Sequence, residues 1–136
     1  ISERASFFPP QEIVIPQSYS QEMTNIWRRV NAIQAVEEKS PQRNATNFDL
    51  WKLSETDTPI TPDNYPSLAR HGLLKAQQGE NGIEWQPAFA HLRDFWEIGS
   101  ETTFTYGYRI VPQAEFHVRL QERIETVFPQ EELSLV

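Results

Sequence analysis

The sequence predicts a helix-rich α+β fold, about four helices with a small, mostly antiparallel sheet, and three observations lead there. Met23, Ile26, Trp27, Val30 and Ile33 recur at the spacing of one helical face. Phe104, Tyr106, Tyr108 and Ile110 alternate with Thr103, Thr105, Gly107 and Arg109, the period of a half-buried strand. No glycine-rich turn follows any candidate strand, so the parallel βαβ unit of a doubly wound fold lacks its usual marker.

Taken in chain order, residues 1–19 carry Pro9, Pro10 and Pro16 around the short run Ile13-Val14-Ile15. Proline withholds a ladder donor, so this stretch is expected to be an extended arm or an edge strand. Phe7 and Phe8 would anchor it to the body or to a neighbouring subunit. Ser20 is a suitable N-cap for the first helix, which should run to about Lys39 before Ser40-Pro41 stops it. Residues 47–53 are expected to form a strand with Asp49, Trp51 and Leu53 on one side. Residues 54–66, rich in Thr, Asp and Pro, should be loop. Thr61-Pro62-Asp63 has the chemistry of a helix start, and a helix from Pro62 or Pro66 to Gln78 would stop at Gly79.

Asn81-Gly82 signals a turn into a short strand, Ile83-Glu84-Trp85. A third helix is expected over 86–98, burying Ala88, Phe89, Leu92, Phe95 and Trp96, with Arg93, Asp94 and Glu97 facing away. The aromatic strand over 102–111 follows. Pro112 opens the last helix, whose buried face should be Phe116, Leu120, Ile124 and Val127. Residues 129–136 read as an acidic tail.

At 136 residues the chain suits a single globular domain, 1–136, and eight Phe, four Tyr and four Trp offset its modest 38% hydrophobic content. There are no cysteines, which removes disulfides, thiolate metal sites and a catalytic thiol. No stretch is long and apolar enough for a membrane span. A cytoplasmic location is the expectation, although a start at Ile1 leaves room for a removed leader. Asn44-Ala45-Thr46 fits the glycosylation sequon, a triplet frequent by chance.

The net charge of −7 makes nucleic acid an unlikely partner, since that grip depends on neutralising phosphates. Of twelve basic residues only Lys39, Lys52 and Lys75 are lysines. The arginine bias favours interfaces and internal ion pairs over simple solvation.

Motifs for phosphate, dinucleotide, zinc-protease or serine-hydrolase chemistry are missing, and no cofactor or metal site is expected. His91, beside Phe95 and Ile98 on the wheel, should be a half-buried structural residue, and His117 a hydrogen-bonded core residue. Pro62-Asp63 followed by Glu84-Trp85-Gln86 resembles the Pro-Asp and acid-x-Lys signature of metal-dependent nucleases, with Gln86 in the lysine's place. That resemblance would make Asp63 and Glu84 metal ligands.

Trp51 and Trp85, on short strands near loops, are the tryptophans expected to be exposed or to line a pocket. With Tyr106, Tyr108 and Arg109 they make up the candidate binding residues. The leading expectation is a non-enzymatic protein-interaction module, with self-association as one form of it. The alternative is a small-molecule site or orphan enzyme lined by Trp51, Trp85, Tyr106 and Tyr108, with His91 or Glu84 as its polar group.

Overall fold

The computed structural model describes residues 9–102 and 107–129. Among them are five helices, α1 (Pro9–Glu37), α2 (Ala45–Glu55), α3 (Pro66–Arg70), α4 (Leu92–Gly99) and α5 (Gln113–Val127). Two separate antiparallel hairpins complete the α+β fold: β1 (Leu74–Gly79) with β2 (Gly82–Pro87), and β3 (Ser100–Thr102) with β4 (Tyr108–Ile110).

The apolar stripe of α1 is where its spacing puts it. Met23, Ile26, Val30 and Ile33 are buried, and Trp27 lies half-buried beside them, its Nε1–H donating to the Val111 carbonyl at 3.0 Å. The helix begins earlier than its sequence suggests. Residues 9–19 are helical, so the expected extended arm is corrected over that range, and Ser20 is an interior residue, not the cap. Pro9 and Pro10 fall in the first turn, where a missing amide costs nothing, and only Pro16 removes a bond the helix would otherwise make. Residues 1–8 and 130–136, with Phe7, Phe8 and the acidic tail, lie outside the described residues.

The expected strand over 47–53 is instead the middle of α2. Thr46, Leu50 and Leu53 are buried at helical spacing, and the apparent alternation of Asp49, Trp51 and Leu53 is incidental. The N-terminus of α2 is capped from outside. Asn44 stands at the cap position with φ +64° and makes no side-chain cap bond. The Glu37 carboxylate, at the end of α1, takes both the Thr46 amide (3.1 Å, Oε1) and the Thr46 hydroxyl (2.7 Å, Oε2). The sequon threonine is therefore buried and engaged.

The same device recurs one helix later. Asp49 Oδ2 accepts the amides of Ser67 (2.8 Å) and Leu68 (3.3 Å) at the start of α3. Thr61-Pro62-Asp63 forms a turn and not a helix start, with the Tyr65 amide closing back on the Thr61 carbonyl.

α3 is also far shorter than the helix expected to reach Gln78. Gly72 adopts φ +72°, the Leu73 amide reaches the Leu68 carbonyl at 2.8 Å, and the Gly72 amide reaches Ala69 at 3.2 Å. This pair of bonds is the Schellman stop, and it turns the chain into β1. Replacing Gly72 by Ala is expected to lower stability by about 1–2 kcal/mol, because an L side chain is strained in this region. The new Cβ would also lie 2.9 Å from Arg29 Nη2, which holds the His71 carbonyl. A shift of the urea midpoint at unchanged slope, smaller for Gly72→Asn, would verify this.

The Asn81-Gly82 turn and the strand at 83–85 are present. β2 continues through Gln86 and Pro87, opposite Lys75 and Leu74, so the helix expected from Gln86 starts only at Leu92. Pro87 is tolerated because a two-stranded ribbon leaves each strand one free edge. Leu92, Phe95 and Trp96 are buried as expected; Asp94 is half-buried against Arg123 rather than facing away.

The single aromatic strand over 102–111 is corrected to the β3–β4 hairpin, with Ser100 opposite Ile110 and Thr102 opposite Tyr108. Gly107 at φ +82° breaks the extended run, and residues 103–106, including Phe104 and Tyr106, lie outside the described residues. In α5, Phe116 and Leu120 are buried and Ile124 packs at the margin, but Val127 is largely exposed. His117 is exposed too, one wheel position away from Phe116, which corrects its expected core role. The centre of the core is aromatic: Phe95 and Phe116 lie 5.6 Å apart, with Trp27 6.3 Å from Phe116.

An aromatic face on α2 and β4

Phe48, Trp51 and Tyr108 form a ladder of near-parallel rings on the surface. Centroids of Phe48 and Trp51 are 5.8 Å apart at 29°, those of Trp51 and Tyr108 6.3 Å apart at 17°. Helical spacing brings the first two together, since residues three apart share a face. The third is supplied by β4, which α2 holds through Asn47: its Nδ2 donates to the Tyr108 carbonyl at 2.8 Å. Below the ladder, buried Trp96 meets Tyr108 edge-on at 5.2 Å.

The outer end of this ladder is open. Phe48 is 53% exposed, while Trp51 and Tyr108 are half-buried. An exposed phenylalanine beside a half-exposed tryptophan and tyrosine makes a contiguous aromatic surface of the residue types enriched at interfaces. Lys52 folds back beside it, its ammonium 5.5 Å from the Phe48 ring and 4.7 Å from the Tyr65 ring while donating to the Asn64 carbonyl. Arg109, next to Tyr108, is paired with Glu101 across the hairpin. Arg119 joins that pair at 3.8 Å and also binds Glu115 at 2.9 Å, so the positive charge at this edge is neutralised locally.

Two polar groups of the ladder are unspent. The Trp51 indole N–H and the Tyr108 hydroxyl have no hydrogen-bond partner among the described residues, and neither is among the buried polar atoms left without one. Glu55, one turn beyond Trp51 on the same helix, is exposed and makes no ion pair among the described residues. On the buried side of the same helix, Asp49 titrates above its ordinary value. Burial raises its pKa, opposed by the amides of Ser67 and Leu68 and by the charge of Lys52.

Of the residues singled out from sequence, the structure brings together Trp51 and Tyr108, with Arg109 the next residue of β4 and paired to Glu101. Tyr106 lies outside the described residues. Trp85 sits half-buried on β2 opposite Ala76, and no ring contact links it to the ladder among the described residues. Asp63 is exposed in the turn before α3, and Glu84 is exposed on β2, its side chain lying across Gly79. Among the described residues no group of three or more His, Asp or Glu side chains is placed to hold a metal ion.

His91 caps α4 with its side chain 47% exposed, its Nε2 3.7 Å from Glu22 Oε2 and its ring edge-on to buried Tyr19 at 4.9 Å. Phe48 is the member that sequence reasoning passes over. Its signal is the i, i+3 spacing to Trp51, visible only once 45–55 is read as a helix.

Among the described residues no helix is long and apolar enough to cross a membrane. No protein-family model, curated protein or solved structure matches the chain.

Proposed function

We propose that this protein is a non-enzymatic interaction module whose contact surface is the Phe48–Trp51–Tyr108 face. The observation that carries the reading is the open end of the ladder. A phenylalanine left half exposed beside two further rings loses the hydrophobic gain of burial, about 25 cal/mol per Å² of apolar surface, until something covers it. The indole N–H and phenol hydroxyl, unpaired among the described residues, add donors at the same place, which is how interfaces fix orientation on an apolar centre.

Position-specific photo-crosslinking tests it in cells. A photoreactive phenylalanine at position 48 is expected to give a defined adduct, with this chain or another protein, that the same probe at exposed Gln121 on α5 does not. Phe48→Ala should lower stability by only about 0.5–1.5 kcal/mol, the worth of its stacking on Trp51, and leave the chain folded. It should weaken the captured association at least tenfold, the effect of losing a hot-spot residue. Equal adducts from positions 48 and 121, or an association indifferent to Phe48→Ala, would sink the reading.

A further inference from the structure

We infer that the partner presents a basic, proline-containing extended segment to the aromatic face; this rests on the interaction reading above and narrows it. Three features of the surface select this chemistry.

The rings are nearly parallel, so they offer a row of edges and not a cage. A cage that surrounds a single cation needs walls facing one another, whereas a row suits a ligand laid across it. Successive centroids are 5.8 and 6.3 Å apart. A polyproline II strand advances about 3.1 Å per residue, so two residues span each step of the ladder. Its compact pyrrolidine rings pack on aromatic surfaces, and the stiff strand has little conformational freedom left to lose on docking.

The unspent hydrogen-bonding groups match what such a strand leaves open. Polyproline II has no internal hydrogen bonds, so its carbonyls point outward as acceptors. Among the described residues the Trp51 N–H and the Tyr108 hydroxyl have no partner, so both can donate to them. A helical ligand has already used its carbonyls, and an apolar patch on a second copy would leave both donors buried and unpaired.

Charge sets the third condition. Among the described residues Glu55 makes no ion pair and lies one helical turn from Trp51, while Lys52 and Arg109 are occupied by Asn64 and Glu101. On the face of α2 that carries Phe48 and Trp51, the unpaired charge among the described residues is therefore negative, as is the chain as a whole at −7. A ligand carrying Arg or Lys beside its prolines complements it; an acidic one, or the phosphates of a nucleic acid, does not.

Amide chemical-shift titration of the full chain tests the inference with three synthetic twelve-residue peptides: repeats of Arg-Pro-Pro, of Arg-Ala-Ala and of Glu-Pro-Pro. The proline–arginine peptide is expected to bind saturably, with shifts centred on 48–55 and 108–109. The other two should bind at least tenfold more weakly. Trp51→Phe, which keeps a ring but removes the donor, should weaken binding several-fold, and Glu55→Lys should reverse the preference between the two proline peptides. No saturable shift at millimolar peptide, equal binding of the alanine peptide, or indifference to Trp51→Phe would overturn the inference. So would the same resonances moving with protein concentration alone, which would assign the face to a second copy, or with a single-stranded oligonucleotide in place of the peptide. If the peptides fail while crosslinking from position 48 still gives its specific adduct, the proline inference falls and the interaction reading stands. If both fail, both fall.

Discussion

Phe116→Ala is expected to cost the fold about 3–5 kcal/mol, the range for removing a fully buried phenylalanine. Phe116 has no exposed surface and joins three elements: its own helix α5, Phe95 of α4 and Trp27 of α1. A Cβ at Gly99 would stand 3.3 Å from its ring, so the site is tightly packed from that side as well. Backbone held this close resists collapse into the vacated volume, which places the cost toward the upper end. Against a total stability of about 5–15 kcal/mol, such a loss leaves little margin. Thermal and urea unfolding would show it, as a fall in midpoint by far more than any surface change produces. Phe116→Leu, which keeps much of the volume, should lose less than half as much. A Phe116→Ala variant with near-native unfolding would mean that the three elements are not packed as described.

Asp49→Ala is the second large effect, expected at about 2–4 kcal/mol, because it takes the acceptor from two buried amides. Asp49→Asn separates acceptor from charge. Its amide oxygen can still accept from Ser67 and Leu68, and the group no longer has to ionise in a buried place, so its cost should stay within about 1 kcal/mol.

The pH dependence follows from the direction of the shift. Burial raises the folded pKa of Asp49 above its unfolded value, so between the two the folded state holds more protons. The stability contributed by Asp49 is then fully present below its unfolded pKa of about 3.9 and declines as pH rises through the raised folded value. Unfolding free energy measured for wild type and Asp49→Asn across that window should show their difference shifting in favour of the variant as pH rises. A difference that is flat with pH, or of the opposite slope, would contradict the burial of this carboxylate.

The same carboxylates explain how much of the fold the sequence discloses. The stripe of α1 and the Phe116–Leu120 face of α5 are legible because helical periodicity is a local property. The Asn81-Gly82 turn is legible for the same reason. What escapes is the set of boundaries decided at a distance. α2 begins where Glu37 reaches it from nine residues away, and α3 where Asp49 reaches it from eighteen. In neither helix does the residue at the cap position do the capping, since Asn44 and Tyr65 make no side-chain cap bond, and at α3 the local signals of Thr61-Pro62-Asp63 outweigh the distant carboxylate on paper and lose in the folded chain. Gly72 is a local signal passed over in favour of Gly79, seven residues on. The candidate site divides along the same line. Trp51 and Tyr108 can be picked out as residue types, while their union with Phe48 depends on a helix assignment at 45–55 and on Asn47 holding β4.

The bond from the Trp27 indole to the Val111 carbonyl closes a span of 84 residues, and this has a consequence for how the chain is made. Ribosomes add about 5–20 residues per second, so roughly 4–17 s separate the synthesis of Trp27 from that of Val111. Through that interval Met23, Ile26 and Val30 have been translated, yet the last helix that helps cover them does not exist. Helix formation itself takes about a microsecond, so α1 can form and unform many times while it waits. Helix α1 thus spends its early life as an amphipathic segment with an open apolar side, and the cell must keep that side from finding the wrong cover.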